Sequence, residues 1–249
     1  MQKRIIPSLL IKNGGLVKGQ QFENHKYVGD PINAIRIFNE KEVDELVVLD
    51  IAATSNGTGP NFELIEKFAS ESFMPLCYGG GISDIDQIRT LLSIGIEKVC
   101  IQSSALESTH FISEIASIFG SQAIVVSVDV KKNIFGRYHL YNSSRQLTNK
   151  NNWLEYIDSC VKAGAGELIV TSVNHEGKMK GMNLSLIKKV NEVTPVPLIA
   201  SGGIGSMNDI KLAFDQGVSG VAVGSFFVFH GPHRGVLITY PAINEITSL

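Results

Sequence analysis

The chain has 249 residues, 44% of them hydrophobic and 18% charged, with 22 Lys and Arg against 24 Asp and Glu for a formal net charge of -2. That balance, without a long basic run, excludes a nucleic-acid-coating role and leaves local phosphate binding open. The length is enough for one large core that folds without disulfides or a structural metal, and the three scattered cysteines, Cys77, Cys100 and Cys160, suit packing in a reducing compartment.

The opening run MQKRIIPSLLIK carries early charges and a short apolar stretch broken by Pro7, so a secretory signal peptide is not expected. Later apolar runs fall short of a membrane span, and a cytoplasmic protein without membrane partners is expected. From there strand and helix signals alternate. Runs rich in β-branched residues lie at 4–11, 45–51, 74–78, 98–102, 123–128, 167–173, 196–200 and 220–223. They lack strict alternation, as strands covered on both faces of a parallel sheet do. Helix-like stretches fall at 31–41, 62–71, 84–94, 109–118, 151–163, 184–193 and 207–216, with Asn61, Ser83 and Ser206 as N-cap candidates. Eight strands alternating with about eight helices predict an α/β fold, either a (β/α)8 TIM barrel or a doubly wound open sheet.

An internal repeat favours the barrel. At an offset of 122 residues, Asp44-Glu45-Leu46-Val47 meets Gly166-Glu167-Leu168-Ile169, Gly80-Gly81-Ile82 meets Gly202-Gly203-Ile204, Gly95 meets Gly217 and Ser103 meets Ser225. The chain therefore reads as a single barrel over 1–249, built from two similar half-barrels at approximately 1–122 and 123–249.

The repeated glycines stand where the third and seventh strands should end, and small polar residues follow the fourth and eighth. Gly80, Gly81, Gln102 and Ser103 make one candidate phosphate cup; Gly202, Gly203, Gly224 and Ser225 make the other, with Ser201 just ahead of it. Glycine lets backbone N–H groups approach an anion and serine adds a hydroxyl donor, while tight turns alone would also explain a lone glycine pair. Asp129 closes an apolar strand where barrel active sites collect, so it is a candidate general base, with Asp50 a weaker candidate at another strand end. The polar segment 171–177, including Thr171 and Glu176, could bind substrate hydroxyls or be an ordinary loop. His230 and His233 flank Gly231-Pro232 without an acidic neighbour, so they read as loop rather than metal site, and no signature of a metal, flavin or nucleotide cofactor occurs. Arg4, Glu45, Lys98 and Glu167 each open a strand, two of each sign. A paired ring at the barrel base could be a plug or a gate.

The blocks Lys3-Arg4-Ile5-Ile6-Pro7, Val17-Lys18-Gly19, Phe119-Gly120-Ser121-Gln122, Gly164-Ala165-Gly166-Glu167 and Ile199-Ala200-Ser201-Gly202-Gly203 resemble the HisF family, the cyclase subunit of imidazole glycerol phosphate synthase. The resemblance implies a barrel that takes a substrate with a phosphate at each end. It also implies a HisH-like glutaminase on the N-terminal face, whose ammonia passes through the barrel. It favours the gate reading of Arg4, Glu45, Lys98 and Glu167, and it places Lys18 among the substrate contacts. Of the family's two catalytic aspartates Asp129 matches one, whereas Leu10 stands in the place of the other, and Asn174 and Glu176 stand where aspartates are usual.

Residues 29–41 and 224–241 resemble a divergent WbuZ-like branch of HisF-like glycosyl amidation proteins. That branch implies ammonia supply to a separate ATP-using amidotransferase forming acetamidino sugars of lipopolysaccharide, and under that reading residues 230–234 are a candidate docking surface. The alternatives are a working cyclase of histidine biosynthesis, with Glu176 or Lys18 replacing the missing acid, and a non-catalytic ammonia conduit.

Overall fold

The computed structural model describes residues 3–149, 151–242 and 245–246. Eight parallel strands form its frame: β1 (Arg4–Lys12), β2 (Leu46–Asp50), β3 (Leu76–Gly79), β4 (Lys98–Ile101), β5 (Ile124–Lys132), β6 (Glu167–Ser172), β7 (Leu198–Ser201) and β8 (Gly220–Val223). Each pairs with the next in chain order. Arg4 to Pro7 of β1 pair with Gly220 to Val223 of β8, so the sheet closes on itself. Closure rules out the open doubly wound sheet.

Side chains alternate between two apolar compartments, because successive residues of a strand point to opposite faces. On β1, Ile5, Leu9 and Ile11 face outward into the layer between sheet and helices, while Ile6 faces the barrel axis. The axial layer contains one residue from every strand: Ile6, Val47, Cys77, Cys100, Val125, Ile169, Ile199 and Ala222. This double burial explains the unbroken apolar runs.

The outer ring consists of α1 (Pro31–Glu40), α2 (Phe62–Glu71), α3 (Ile85–Ile94), α4 (Thr109–Phe119), α5 (Trp153–Lys162), α6 (Leu184–Asn191) and α7 (Met207–Asp215). α1 starts where Asp30 accepts the Asn33 N–H at 2.8 Å, with Pro31 in the first turn, and it buries Ala34, Ile35 and Phe38 on one stripe. Fully burying a side chain such as Phe38 stabilises the fold by roughly 2 kcal/mol. Asn61 and Ser206 are N-caps as expected. Ser83 is not: Asp84 caps α3, because its carboxylate takes the Gln87 N–H while the Gln87 side chain returns to the Asp84 N–H.

Several elements are absent from the sequence reading. Gly15–Gln20 and Glu23–Gly29 form a hairpin after β1, and Tyr138–Asn142 and Leu147–Asn149 form another after β5. Short helices at Ala53–Asn56 and Ser103–Glu107 follow β2 and β4. After β8 comes a 3-10 turn, Ser225–Phe227. β5 runs past Val128 because Val130 to Lys132 pair with Tyr138 to Leu140, outside the barrel proper.

Candidate active site at the barrel mouth

The barrel axis is built in three tiers. At the N-terminal end, Arg4 donates to Glu45 at 2.6 Å and also to Glu167, and the Lys98 ammonium lies 2.9 Å from Glu45 and 3.1 Å from Glu167. The two cations and two carboxylates thus close into one ring, with Glu45 and Glu167 buried. Burial alone would disfavour the charged forms of Arg4 and Lys98. Their carboxylate partners more than offset it and raise both pKa values. The eight-residue apolar layer forms the middle tier. The third tier is a cavity of about 790 Å³ at the C-terminal mouth.

Every residue expected at the mouth lines this one cavity: Gly80, Gly81, Gln102 and Ser103 on one side, Gly202, Gly203, Gly224 and Ser225 on another, with Lys18, Asp50, Asp129, Thr171, Glu176 and Ser201 between them. Asp129 is buried near the end of the barrel part of β5, opposite Thr171 of β6. Its Oδ2 accepts a hydrogen bond of 2.5 Å from Gln102 Nε2, whose Oε1 accepts the Ser143 hydroxyl at 2.5 Å, and the nearby Thr171 hydroxyl favours the charged carboxylate. Burial outweighs those donors and pushes the Asp129 carboxyl up to about 7. A carboxyl poised there can hold or release a proton at neutral pH, which suits a general base or acid.

Lys18 is also buried, and its Nζ donates to the Ser8 carbonyl at 2.5 Å. Burial brings its ammonium down to about 8, against the opposing charge of Glu176. Glu176 is raised by burial, and Lys18, the backbone N–H groups of Phe22 and Gln21, and Arg234 restrain the shift. Leu10 lines the cavity beside its neighbour on the adjacent strand, Leu49, on the side of the barrel across from β5.

The cups have other structural duties as well. Gly80 has φ +133°, and a Cβ there would lie 2.5 Å from the Asp50 carbonyl oxygen; at Gly203, with φ +102°, a Cβ would strike the Gly181 carbonyl. These glycines are needed for loop packing whether or not an anion binds. The more specific signal is Ser225: it is buried, it opens the 3-10 turn, and its Oγ has no hydrogen-bond partner among the described residues. Ser103 Oγ, in contrast, is 3.1 Å from Ser144 Oγ. Asp50 accepts the Ala52 and Ala53 N–H groups at 3.0 and 3.1 Å, so it caps the short helix beside the cavity. Asn174 clamps the backbone of Lys132 through both atoms of its amide, at 2.6 and 3.1 Å. Residues 230–234 belong to the mouth face, where Arg234 donates to the Gly177 carbonyl at 3.2 Å.

Sequence reasoning missed Ser8, Ser127, Ser143 and Ser144, which also line the cavity. The parity of β1 and β5, shared with Arg4 and Asp129, could have found the first two. The other two arrive on the hairpin after β5, which carries no comparable signal.

A closed (β/α)8 barrel with a polar cavity at its C-terminal mouth and one near-neutral carboxyl is the build of a small-molecule barrel protein. The family profile described as histidine biosynthesis protein matches residues 4–233. A Pseudomonas aeruginosa protein provisionally named imidazole glycerol phosphate synthase subunit hisF2 is 46% identical over 247 residues, covering 99% of this chain and 98% of that one. A Leptospira borgpetersenii protein provisionally named as the HisF subunit is 46% identical over 244 residues, 97% and 96% of the two chains. The imidazole glycerol phosphate synthase subunit HisF of Streptococcus sanguinis is 37% identical over 228 residues, 91% and 90%. The chain belongs to the histidine biosynthesis protein family and, within it, to the HisF family.

Proposed function

We propose that the chain is a HisF-type synthase subunit that receives ammonia from a HisH-like glutaminase on its N-terminal face and supplies it for acetamidino-sugar formation in O-antigen and lipopolysaccharide biosynthesis. One observation carries the reading: the four-charge ring at the entrance is complete while Leu10 occupies the wall opposite Asp129. Loss of constraint on the whole protein would not spare a buried ring whose members depend on one another. A changed acceptor would spare the entrance and alter the mouth. The axial apolar layer fits this role, because neutral ammonia crosses it at far lower desolvation cost than ammonium. The names hisF2 and hisF3 of two relatives also suit an additional copy with its own role. In this reading the two cups, one contributed by each half-barrel, hold a phosphorylated ligand. Asp129 manages its proton, and Lys18, Asp50, Thr171, Glu176 and Ser201 orient it. An ATP-using amidotransferase then completes the amidination.

The near-neutral Asp129 and the retention of both cups favour a second reading, a working imidazole glycerol phosphate synthase cyclase in which Glu176 or Lys18 supplies the other proton-transfer group. A pure conduit is a third; in that case Asp129→Asn would leave ammonia transfer untouched.

The deciding measurement is ammonium-driven turnover of the phosphoribulosyl imidazole-carboxamide substrate by the wild type and by Leu10→Asp. The proposal expects no wild-type turnover and a detectable gain in the variant. Robust wild-type turnover returns the chain to histidine biosynthesis.

A further inference from the structure

Four segments on the mouth face surround the cavity: residues 12–29, 131–149, 174–182 and 230–237. Apart from the cavity pair Lys18 and Glu176, they hold nine of the chain's 22 Lys and Arg, one of its 24 Asp and Glu, and five of its six His. A chain of net charge -2 therefore carries one strongly basic face, and the acidic excess lies elsewhere.

The segments are knitted into a single rim. Gln21 Nε2 donates to the Asn174 carbonyl at 3.3 Å, the Asn174 amide holds Lys132, the Phe22 and Tyr141 rings lie 6.0 Å apart, and Arg234 reaches the Gly177 carbonyl. The same rim carries six of the ten exposed large apolar side chains among the described residues: Tyr27, Ile134, Phe135, Leu147, Val236 and Leu237. Ile134 and Phe135, 93% and 82% exposed, form the tip of one turn. Asn133 Oδ1 fixes that turn by accepting the Phe135 and Arg137 N–H groups at 3.0 and 2.9 Å. Single exposed apolar residues are ordinary, but their concentration on one basic rim around a cavity marks an interaction surface.

The geometry points to this rim as the docking surface for an acidic-faced, ATP-using sugar amidotransferase, with the rigid Ile134–Phe135 tip as its anchor. The assignment rests on the sugar-amidation reading above. Three observations favour a protein over a bilayer as the occupant. The rim encircles an open cavity of about 790 Å³, from which ammonia escapes into water as ammonium unless a cover seals it. Its apolar side chains are spread over separate strands and turns of the mouth instead of forming one insertable face. A preorganised aromatic tip flanked by Lys132 and Arg137 suits a pocket with an acidic rim, where a few buried anchors dominate affinity.

The test combines the chain, its glutaminase and the purified ATP-using sugar amidotransferase of the same organism with an acetamido-sugar acceptor. Wild type is compared with the double variant Ile134→Asp/Phe135→Asp and with Arg137→Glu, all at exposed positions outside the cavity. Glutamine-driven amidination should fall at least about tenfold in the variants. Amidination driven by free ammonium, and stimulation of the glutaminase, should not change. Variants that transfer as well as wild type overturn the surface assignment and leave the sugar-amidation reading standing. Wild type that delivers no ammonia to the amidotransferase overturns both. Binding of wild type to phosphatidylglycerol-rich vesicles, abolished in the double variant, would reassign the rim to a membrane surface and also overturn the proposal.

Discussion

Replacing Asp129 with asparagine removes a charge that the fold holds at a cost, so it should stabilise the protein in a strongly pH-dependent way. The carboxyl is buried, and its folded pKa is raised from 3.8 to about 7. An acid whose folded pKa is raised favours folding most when protonated. Its contribution is therefore intact below about pH 4 and is lost as the pH rises through about 7. A shift of about three pKa units corresponds to about 4 kcal/mol at pH 8, falling to about 0.5 kcal/mol at pH 4. Asparagine keeps an oxygen for Gln102 Nε2, so the replacement preserves that hydrogen bond without the charge. For a chain of this size each kcal/mol moves Tm by roughly 2–4 °C. Scanning calorimetry should show Asp129→Asn melting roughly 10 °C above wild type at pH 8 and within about 2 °C of it at pH 4. A difference independent of pH, or a variant less stable at pH 8, would refute the idea that burial of this carboxyl sets its proton affinity.

Two further outcomes follow from the same geometry. Lys98→Met removes the ammonium that bridges two buried carboxylates, and about 3 kcal/mol of stability should be lost in urea unfolding at pH 7. A loss below about 1 kcal/mol would mean that Arg4 alone satisfies both acids. Ser225→Ala deletes a buried hydroxyl without a partner, so Tm should stay within about 2 °C while calorimetric affinity for inorganic phosphate drops about tenfold. An equal affinity would show that the hydroxyl does not face the anion.

The sequence by itself determined the barrel and most of the axis. Eight apolar runs at regular spacing require burial on both faces, and that pattern located every barrel strand to within a few residues. The repeat at 122 residues brought out the two glycine cups, and charges opening four strands marked the ring, because residues at one depth and parity on different strands must meet in a closed barrel. Leu10, by contrast, stands out only through the resemblance to the HisF family.

Other features depend on contacts that no local pattern encodes. The hairpins after β1 and β5 have weak strand patterning and become strands by extending β1 and β5 at the mouth. Capping moved from Ser83 to Asp84 through a reciprocal bond with Gln87. Asp50, a strand-end carboxylate like Asp129 in the sequence, is occupied as a cap, while Asp129 is buried beside Gln102 and Thr171 and becomes the near-neutral group. Two similar carboxylates acquire different roles because desolvation and donor geometry are properties of the assembled barrel, set by residues far apart in the chain.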